Sequence, residues 1–154
     1  MIFGIGVDVL EAARVKKVFD RFGDHFVNRL LLPGERAQLA KTKRTERFLA
    51  MRFAAKEAIV KAMGTGFAHG IWIRDVGVVQ NQWGKPEVVY SERGEKMRRQ
   101  LGIGDGHVTL TDEAGLIVAV AVLEAAAPSR RTPGRVARAA SKLRAKVKRP
   151  RKAR

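Results

Sequence analysis

The sequence predicts an α+β fold in which helices pack against an antiparallel β-sheet, and three observations favour this class. Apolar residues alternate or cluster in short segments near both ends of residues 1–124, which is typical of strands. Between these segments, apolar residues recur at helical spacing. The last two predicted strands are joined by the short polar turn 112–115, and strands joined in this way pair antiparallel.

The first predicted strand, residues 2–10, has two different faces. Apolar side chains occupy one face, and the other face holds Gly4, Gly6 and Asp8. A carboxylate in an apolar strand is unfavourable unless a cation meets it. Two interpretations of Asp8 follow from the strand alone. It forms a salt bridge with a basic residue, or it holds a divalent metal ion together with a second carboxylate and phosphate oxygens.

Apolar spacing, with glycine and proline at the segment ends, predicts the remaining elements. Helices are predicted over 11–22, 24–31, 33–41, 45–63 and 91–101. Further strands are predicted over 75–80, 86–90, 107–111 and 116–123. The segment 45–63 carries more apolar residues than a helix with a solvent-exposed face needs, so we expect it to pack centrally against the sheet.

The long predicted helix carries the second candidate acid. Glu57 and Lys61 are four residues apart and share a helix face. Considered alone, they form an ordinary surface ion pair that adds little stability. Their neighbours on the helix are mostly small or apolar, which predicts burial. A buried Glu–Lys pair beside the Gly-Thr-Gly turn at 64–66 is compatible with a site for a metal ion and a phosphate.

The composition indicates one domain, 1–124, followed by a basic extension, 125–154. The domain holds nineteen Lys and Arg against fifteen Asp and Glu, whereas the extension holds twelve and none. Because the extension has few apolar residues to bury, we expect it to be disordered.

The absence of cysteine excludes disulfides and thiolate metal sites. No signal peptide or membrane-spanning run is visible, so a cytoplasmic protein is expected.

Four sequence blocks, taken in order, resemble the signatures of the holo-[acyl-carrier-protein] synthase family. They are GIGVDV at 4–9 followed by Glu11 and Arg14, FLAMRFAAKEA at 48–58 followed by KAMGTG at 61–66, GKP at 84–86, and HVTLTD at 107–112. The resemblance covers roughly residues 1–124 and says nothing about the extension. It implies the 4′-phosphopantetheinyl transferase-like fold and a homotrimer with active sites between protomers.

The resemblance also implies an activity. Family members transfer 4′-phosphopantetheine from coenzyme A to a serine of acyl carrier protein, with Mg²⁺ as cofactor. Adenosine 3′,5′-bisphosphate is released, and the product serves fatty acid biosynthesis. Phosphoryl transfer depends mainly on positioning and on stabilisation of charge, which a small protein with one metal ion can provide.

By the same resemblance, individual residues have expected roles. Asp8 and Glu57 are expected to hold Mg²⁺, and Glu57 and Lys61 are expected to act in catalysis. Glu57 is also a candidate acceptor of the serine proton, directly or through water. Contacts with coenzyme A are expected from Lys61, Gly64, Thr65, Gly66, Gly84, Lys85, Pro86, His107 and Thr109. Arg14 and Arg21 are expected to contact an acidic helix of the carrier protein.

Two other classes of function remain as alternatives. The basic extension would bind a nucleic-acid backbone, or another anionic surface, without sequence preference, since it has no aromatic residue for base stacking. A non-catalytic oligomeric scaffold with the same fold is the second alternative. The presence of Asp8, Glu57 and Lys61 together argues against it.

Overall fold

A computed structural model describes residues 1–127 of the chain. In chain order, its elements are β1 (Ile2–Glu11), α1 (Ala12–Leu30), α2 (Pro33–Leu39), α3 (Thr45–Met63), β2 (Val76–Gln80), β3 (Pro86–Tyr90), α4 (Glu92–Gln100), β4 (Ile103–Glu113) and β5 (Leu116–Ala125). A short 3₁₀ turn, Ile73–Asp75, precedes β2. The strands form one antiparallel sheet in the order β1-β5-β4-β3-β2. The predicted α+β class with an antiparallel sheet is therefore confirmed.

The long helix α3 is the centre of the core, as predicted. Its apolar residues are buried along most of its length, and it packs against β1, β5 and β2. β1 presents Gly4 and Gly6 to this helix. A methyl group at Gly4 would collide with the carbonyl oxygen of Ala62, and one at Gly6 with that of Ala58. The glycine face of the strand therefore lets the helix backbone lie directly on the sheet.

The opposite face of β1 is apolar and exposed. Ile5 and Val9 are both 59% exposed, and Val7 is 48% exposed. Their cross-strand neighbours on β5 are also valines, namely Val122, Val118 and Val120 respectively. A contiguous exposed apolar face of this kind is typical of a surface that another protein chain covers.

Several predicted boundaries differ from the observed ones by one or two residues, and the two larger differences have identifiable reasons. The predicted helices 11–22 and 24–31 run end to end as α1, interrupted at Gly23, whose φ of 49° and ψ of −129° are not helical. β4 begins earlier than predicted, at Ile103, because its glycine-rich start lacks the alternating apolar pattern that a sequence reading uses.

The predicted boundary between domain and extension falls at the end of β5, which reaches Ala125. The backbone N–H of Ala126 donates to the carbonyl oxygen of Gly102 at 2.7 Å. Residues 128–154, and the disorder predicted for them, lie outside the described residues. Among residues 1–127, no helix combines the length and the apolar character needed to cross a membrane.

Candidate active site

The structure brings Asp8, Glu57 and Lys61 together where α3 crosses β1. Asp8 lies on the same strand face as Gly4 and Gly6, so its side chain is directed toward the helix. Nζ of Lys61 donates to Oδ1 of Asp8 at 2.8 Å. The salt bridge that the sequence left open therefore exists, and it lies in the same cluster as the second carboxylate.

The pKa of the Glu57 carboxyl group depends on its burial and on two charged neighbours. Burial raises the pKa of Glu57, the negative charge of Asp8 raises it further, and Lys61 opposes both effects. Asp8 is mostly covered, with 13% of its side chain exposed, and Lys61 is half-exposed. A carboxylate whose ionisation is disfavoured by a second carboxylate, at a site open on one side, is an oxygen donor that a cation would stabilise.

These residues fit a hard divalent cation. Mg²⁺ takes oxygen ligands and is usually held by one or two carboxylates together with substrate phosphates and water. Within residues 1–127, no group of three or more His, Cys, Asp or Glu side chains could hold a metal ion by itself. If a metal ion binds here, Asp8 and Glu57 would supply two carboxylates, and phosphate oxygens and water would complete the coordination.

The turn 64–66 follows α3 directly, next to Lys61. Gly64 and Gly66 have φ values of 74° and 56°, which glycine adopts without strain, and nothing lies within 4 Å of where their side chains would be. The N–H groups of this turn donate to carbonyl oxygens of α3, so they cap the helix. The hydroxyl of Thr65 is buried and has no hydrogen-bond partner in the described part of the chain.

The turn 84–86 lies on a different part of the sheet. It joins β2 to β3, and the side chain of Asn81 fixes it by accepting from the N–H groups of Trp83 and Lys85. Because β5 and β4 separate β3 from β1, the turn is not beside Asp8 on the sheet. Three strand spacings correspond to about 14 Å.

His107 and Thr109 lie on the face of the sheet that is opposite to α3. The intervening residue Val108 is buried, whereas His107 and Thr109 are exposed. Nε2 of His107 is 2.8 Å from Oε1 of Glu124 on β5. A single copy of the chain therefore does not bring His107 and Thr109 together with the cluster around Asp8.

The sequence prediction missed a basic cavity of about 400 Å³ between the start of α3 and the end of β2. Its lining includes Lys41, Arg44, Arg47, Arg52 and Gln80. Arg52 is 4% exposed, and burial lowers the pKa of its guanidinium group. Its Nε makes no hydrogen bond to any residue of 1–127. A buried arginine with an unsatisfied donor beside other cations is suited to an anion.

Arg14 and Arg21 lie on the exposed surface of α1, seven residues and hence two turns apart. The guanidinium group of Arg21 stacks on the ring of Phe22 at 5.0 Å. Phe22 and Val18 are themselves 48% and 38% exposed. This face of α1 thus combines cations with exposed apolar side chains.

Comparison with known proteins identifies the class to which this fold and cluster belong. A family model described as the 4′-phosphopantetheinyl transferase superfamily matches residues 4–120. The holo-[acyl-carrier-protein] synthase of Geobacter sp. (strain M21) is 41% identical over 124 residues, which cover 80% of this chain and 99% of the relative. The chain therefore belongs to the holo-[acyl-carrier-protein] synthase family of phosphopantetheinyl transferases. The family and enzyme class predicted from the sequence are confirmed.

Solved structures agree with this assignment. The crystal structure of the holo-[acyl-carrier-protein] synthase from Neisseria meningitidis matches with a TM-score of 0.76 and 35% identity, covering 80% of this chain and 99% of that one. A synthase from Bacillus anthracis, solved in complex with coenzyme A (3′,5′-ADP), has a TM-score of 0.67 and 34% identity. That match covers 82% of this chain and 99% of the Bacillus chain.

Proposed function

We propose that this chain transfers the 4′-phosphopantetheine arm of coenzyme A to a serine of acyl carrier protein in a Mg²⁺-dependent reaction. The observation that carries the proposal is the cluster of Asp8, Glu57 and Lys61 within the fold of a synthase family. The coenzyme A complex of the Bacillus anthracis relative supports the choice of donor. A role in fatty acid biosynthesis, and a location in the cytoplasm, rest on the family resemblance.

In the proposed reaction, the serine oxygen forms a bond to the phosphorus on the pantetheine side of the diphosphate. The bond from that phosphorus to the bridging oxygen breaks, and adenosine 3′,5′-bisphosphate leaves. Asp8 and Glu57 would hold Mg²⁺, which would neutralise diphosphate charge and polarise the attacked phosphorus. Lys61 stabilises the negative charge that grows on the leaving phosphate.

The serine proton needs an acceptor near the metal site. The raised pKa of Glu57 suits it to take a proton, directly or through a water molecule. A carboxylate that coordinates a metal ion is a weaker base, so metal ligation is its first proposed role. Holding the metal and accepting the proton then place different demands on the same side chain.

The predicted contacts with coenzyme A divide between two surfaces. The turn 64–66 lies next to Lys61, and we assign it to the phosphate region, with Thr65 supplying a free hydroxyl. The turn 84–86 adjoins the basic cavity through Asn81, which lines it. Arg52 precedes Glu57 by five residues on α3, a rise of about 7.5 Å, and the two side chains point about 140° apart around the helix axis. The basic cavity is therefore an anion-binding surface on a different side of α3 from the carboxylate cluster, and we assign it to a second phosphate group.

A homotrimer explains the two surfaces that a single protomer leaves unused. His107 and Thr109 face away from α3, beside the exposed apolar face of β1 and β5. Packing of these faces between protomers would bury Val7 and its neighbours. It would also carry His107 and Thr109 to the coenzyme site of an adjacent protomer.

Arg14 and Arg21 are proposed to bind the carrier protein. Both are exposed on α1, which directly follows the strand that carries Asp8. Cations on this helix would steer an acidic partner toward the site, and the apolar side chains between them would add contact area. The proposed contact of the basic extension with nucleic acid, or with another anionic surface, concerns residues outside the described part of the chain.

The direct test is mass spectrometry of apo acyl carrier protein after incubation with the full chain, coenzyme A and Mg²⁺. We expect a gain equal to one phosphopantetheine arm, which disappears when EDTA replaces Mg²⁺. A chain truncated after residue 127 serves as the comparison for the extension. If the truncated chain no longer labels the carrier protein, the extension is essential for the transfer. If it still labels the carrier protein, the activity belongs to the domain.

A further inference from the structure

A buried ion pair on α3 lies beside the face that carries Glu57. Nζ of Lys56 is 2.7 Å from Oε2 of Glu35, and both side chains are completely buried. The same ammonium group donates to the carbonyl oxygen of Val76 at 2.6 Å and to that of Ile73 at 3.3 Å. Lys56 therefore ties α3 to α2, to the 3₁₀ turn and to β2.

Glu35 is held in place by several groups at once. Its Oε2 accepts from the N–H of Leu32 at 2.8 Å, and its Oε1 accepts from the N–H of Val78 at 2.9 Å. Nε of Arg52 lies 3.9 Å from Oε1, which places a second cation near the carboxylate. The position of Lys56 is thus set by an anion that is itself fixed to the start of its own helix, α2, and to β2.

Stability alone does not account for such a cluster. Apolar residues of similar volume are often as stabilising as a buried ion pair, because desolvation offsets much of the attraction. Charged hydrogen bonds also fix the orientation of the groups that they join. By contrast, α3 meets β1 through small residues (Gly4, Gly6, Ala58 and Ala62), which set the distance between helix and strand, and the ion pair at this contact joins Asp8 to the half-exposed Lys61.

We propose that Lys56 and Glu35 are positioning residues that set the rotation of α3 and so direct Glu57 toward Asp8. Lys56 and Glu57 are consecutive and lie about 100° apart around the helix axis. β1 and β2 are the opposite edges of the sheet, and α3 contacts both. A fixed contact at the β2 edge therefore controls orientation at the β1 edge, where ligand placement must hold within about 0.5 Å.

The inference rests on the proposed function, and metal binding tests it without turnover. Mn²⁺, a spectroscopic substitute for Mg²⁺, is titrated into the full chain with coenzyme A and followed by electron paramagnetic resonance. Lys56→Met keeps the side-chain length and leaves Glu35 near Arg52. Glu35→Gln keeps the side-chain shape. If one of these two variants fails to fold, the other still tests the proposal. Ile103→Ala opens a cavity at a buried position of β4 and is the matched control.

We expect Mn²⁺ binding to weaken about tenfold or more in Lys56→Met and Glu35→Gln. Ile103→Ala should bind Mn²⁺ as the wild type does, at a comparable loss of thermal stability. Wild-type affinity in the cluster variants, or the same loss in Ile103→Ala, would overturn the proposal. If the proposed metal site itself is wrong, the result is different: Asp8→Asn would bind Mn²⁺ as tightly as the wild type does.

Discussion

Nζ of Lys61 lies 2.8 Å from Oδ1 of Asp8, so an ion pair joins the last turn of α3 to β1. The same ammonium group donates to the carbonyl oxygen of Val7 at 3.0 Å. Glu57 is one helical turn before Lys61, on the same side of the helix. This corner of the fold therefore brings together one cation and two carboxylates, the groups that the proposed metal-bound diphosphate requires.

Replacing Lys61 by methionine should lower kcat about 10²–10³-fold, because a cation that meets developing charge is lost. Metal ligation by Asp8 and Glu57 should persist. Steady-state kinetics with varied Mg²⁺ separates the two effects. Lys96→Met, an exposed change on α4, should behave as the wild type, and an equally active Lys61→Met would remove the proposed phosphate contact.

The raised pKa of Glu57 gives a stability prediction with a definite sign. In the folded protein without metal, this carboxyl binds its proton more tightly than in the unfolded chain. Stability is therefore lost as pH rises from the ordinary pKa of 4.5 through the raised folded value, and the loss remains above it. Glu57→Gln avoids this loss, so it should unfold at a higher temperature than the wild type at neutral pH in EDTA.

Thermal unfolding of Glu57→Gln and wild type across pH checks this sign. The advantage of the variant should vanish below about pH 4, where the carboxyl is protonated in both states. The same variant should be almost inactive in transfer, since it lacks a metal ligand. A lower unfolding temperature for Glu57→Gln at neutral pH would contradict the account.

Gly6→Ala should destabilise the fold by about 1–3 kcal/mol or more, because the added methyl group meets the carbonyl oxygen of Ala58 and must push α3 off β1. Gly34→Ala is the matched control, since its methyl group would contact a methyl of Val79 at 3.2 Å. Urea unfolding of both variants measures the difference. Equal stability of Gly6→Ala and wild type would show that the helix has room at this strand.

Val7→Lys should disrupt assembly, because it places a charge on the half-exposed apolar face of β1. Light scattering after size exclusion should show a smaller species, and transfer activity should fall with it. Lys96→Glu, a charge change on exposed α4, should leave the mass unchanged. A wild-type mass for Val7→Lys would place the protomer interface elsewhere.

Arg14→Glu should raise the KM for acyl carrier protein severalfold, and it should leave the KM for coenzyme A unchanged. The reason is that a charge on the rim of an interface acts mainly on encounter with the partner. Kinetics at low and moderate salt should show a weaker salt dependence in the variant than in the wild type. A change confined to the KM for coenzyme A would assign Arg14 to the other substrate.

The metal-site candidates could be found from the sequence because each breaks its local pattern. Asp8 stands alone in an apolar strand, and Glu57 stands in a helix segment that is otherwise buried. Lys56 interrupts the same apolar segment as Glu57, but nothing in the sequence pairs it with Glu35. A single glutamate in a helix ordinarily faces solvent, and the two paired residues are twenty-one positions apart in the chain.

The proposed coenzyme contacts show the limit of prediction from sequence patterns. Residues lining the basic cavity come from α2, the loop between α2 and α3, the start of α3, and the end of β2 with the turn after it, so no local spacing brings them together. His107 and Thr109 belong to a strand whose alternation defines two faces but not which face meets the helix. The glycines of β1 decide this, since they accept α3 on the side of Asp8.

The most direct measurement of the central claim is the mass of acyl carrier protein after reaction with coenzyme A and Mg²⁺, using wild type, Asp8→Asn and Glu57→Gln. The account predicts one added phosphopantetheine arm with the wild type and almost none with either variant, each confirmed as folded by circular dichroism. Complete labelling by either folded variant would contradict the shared metal site of Asp8 and Glu57.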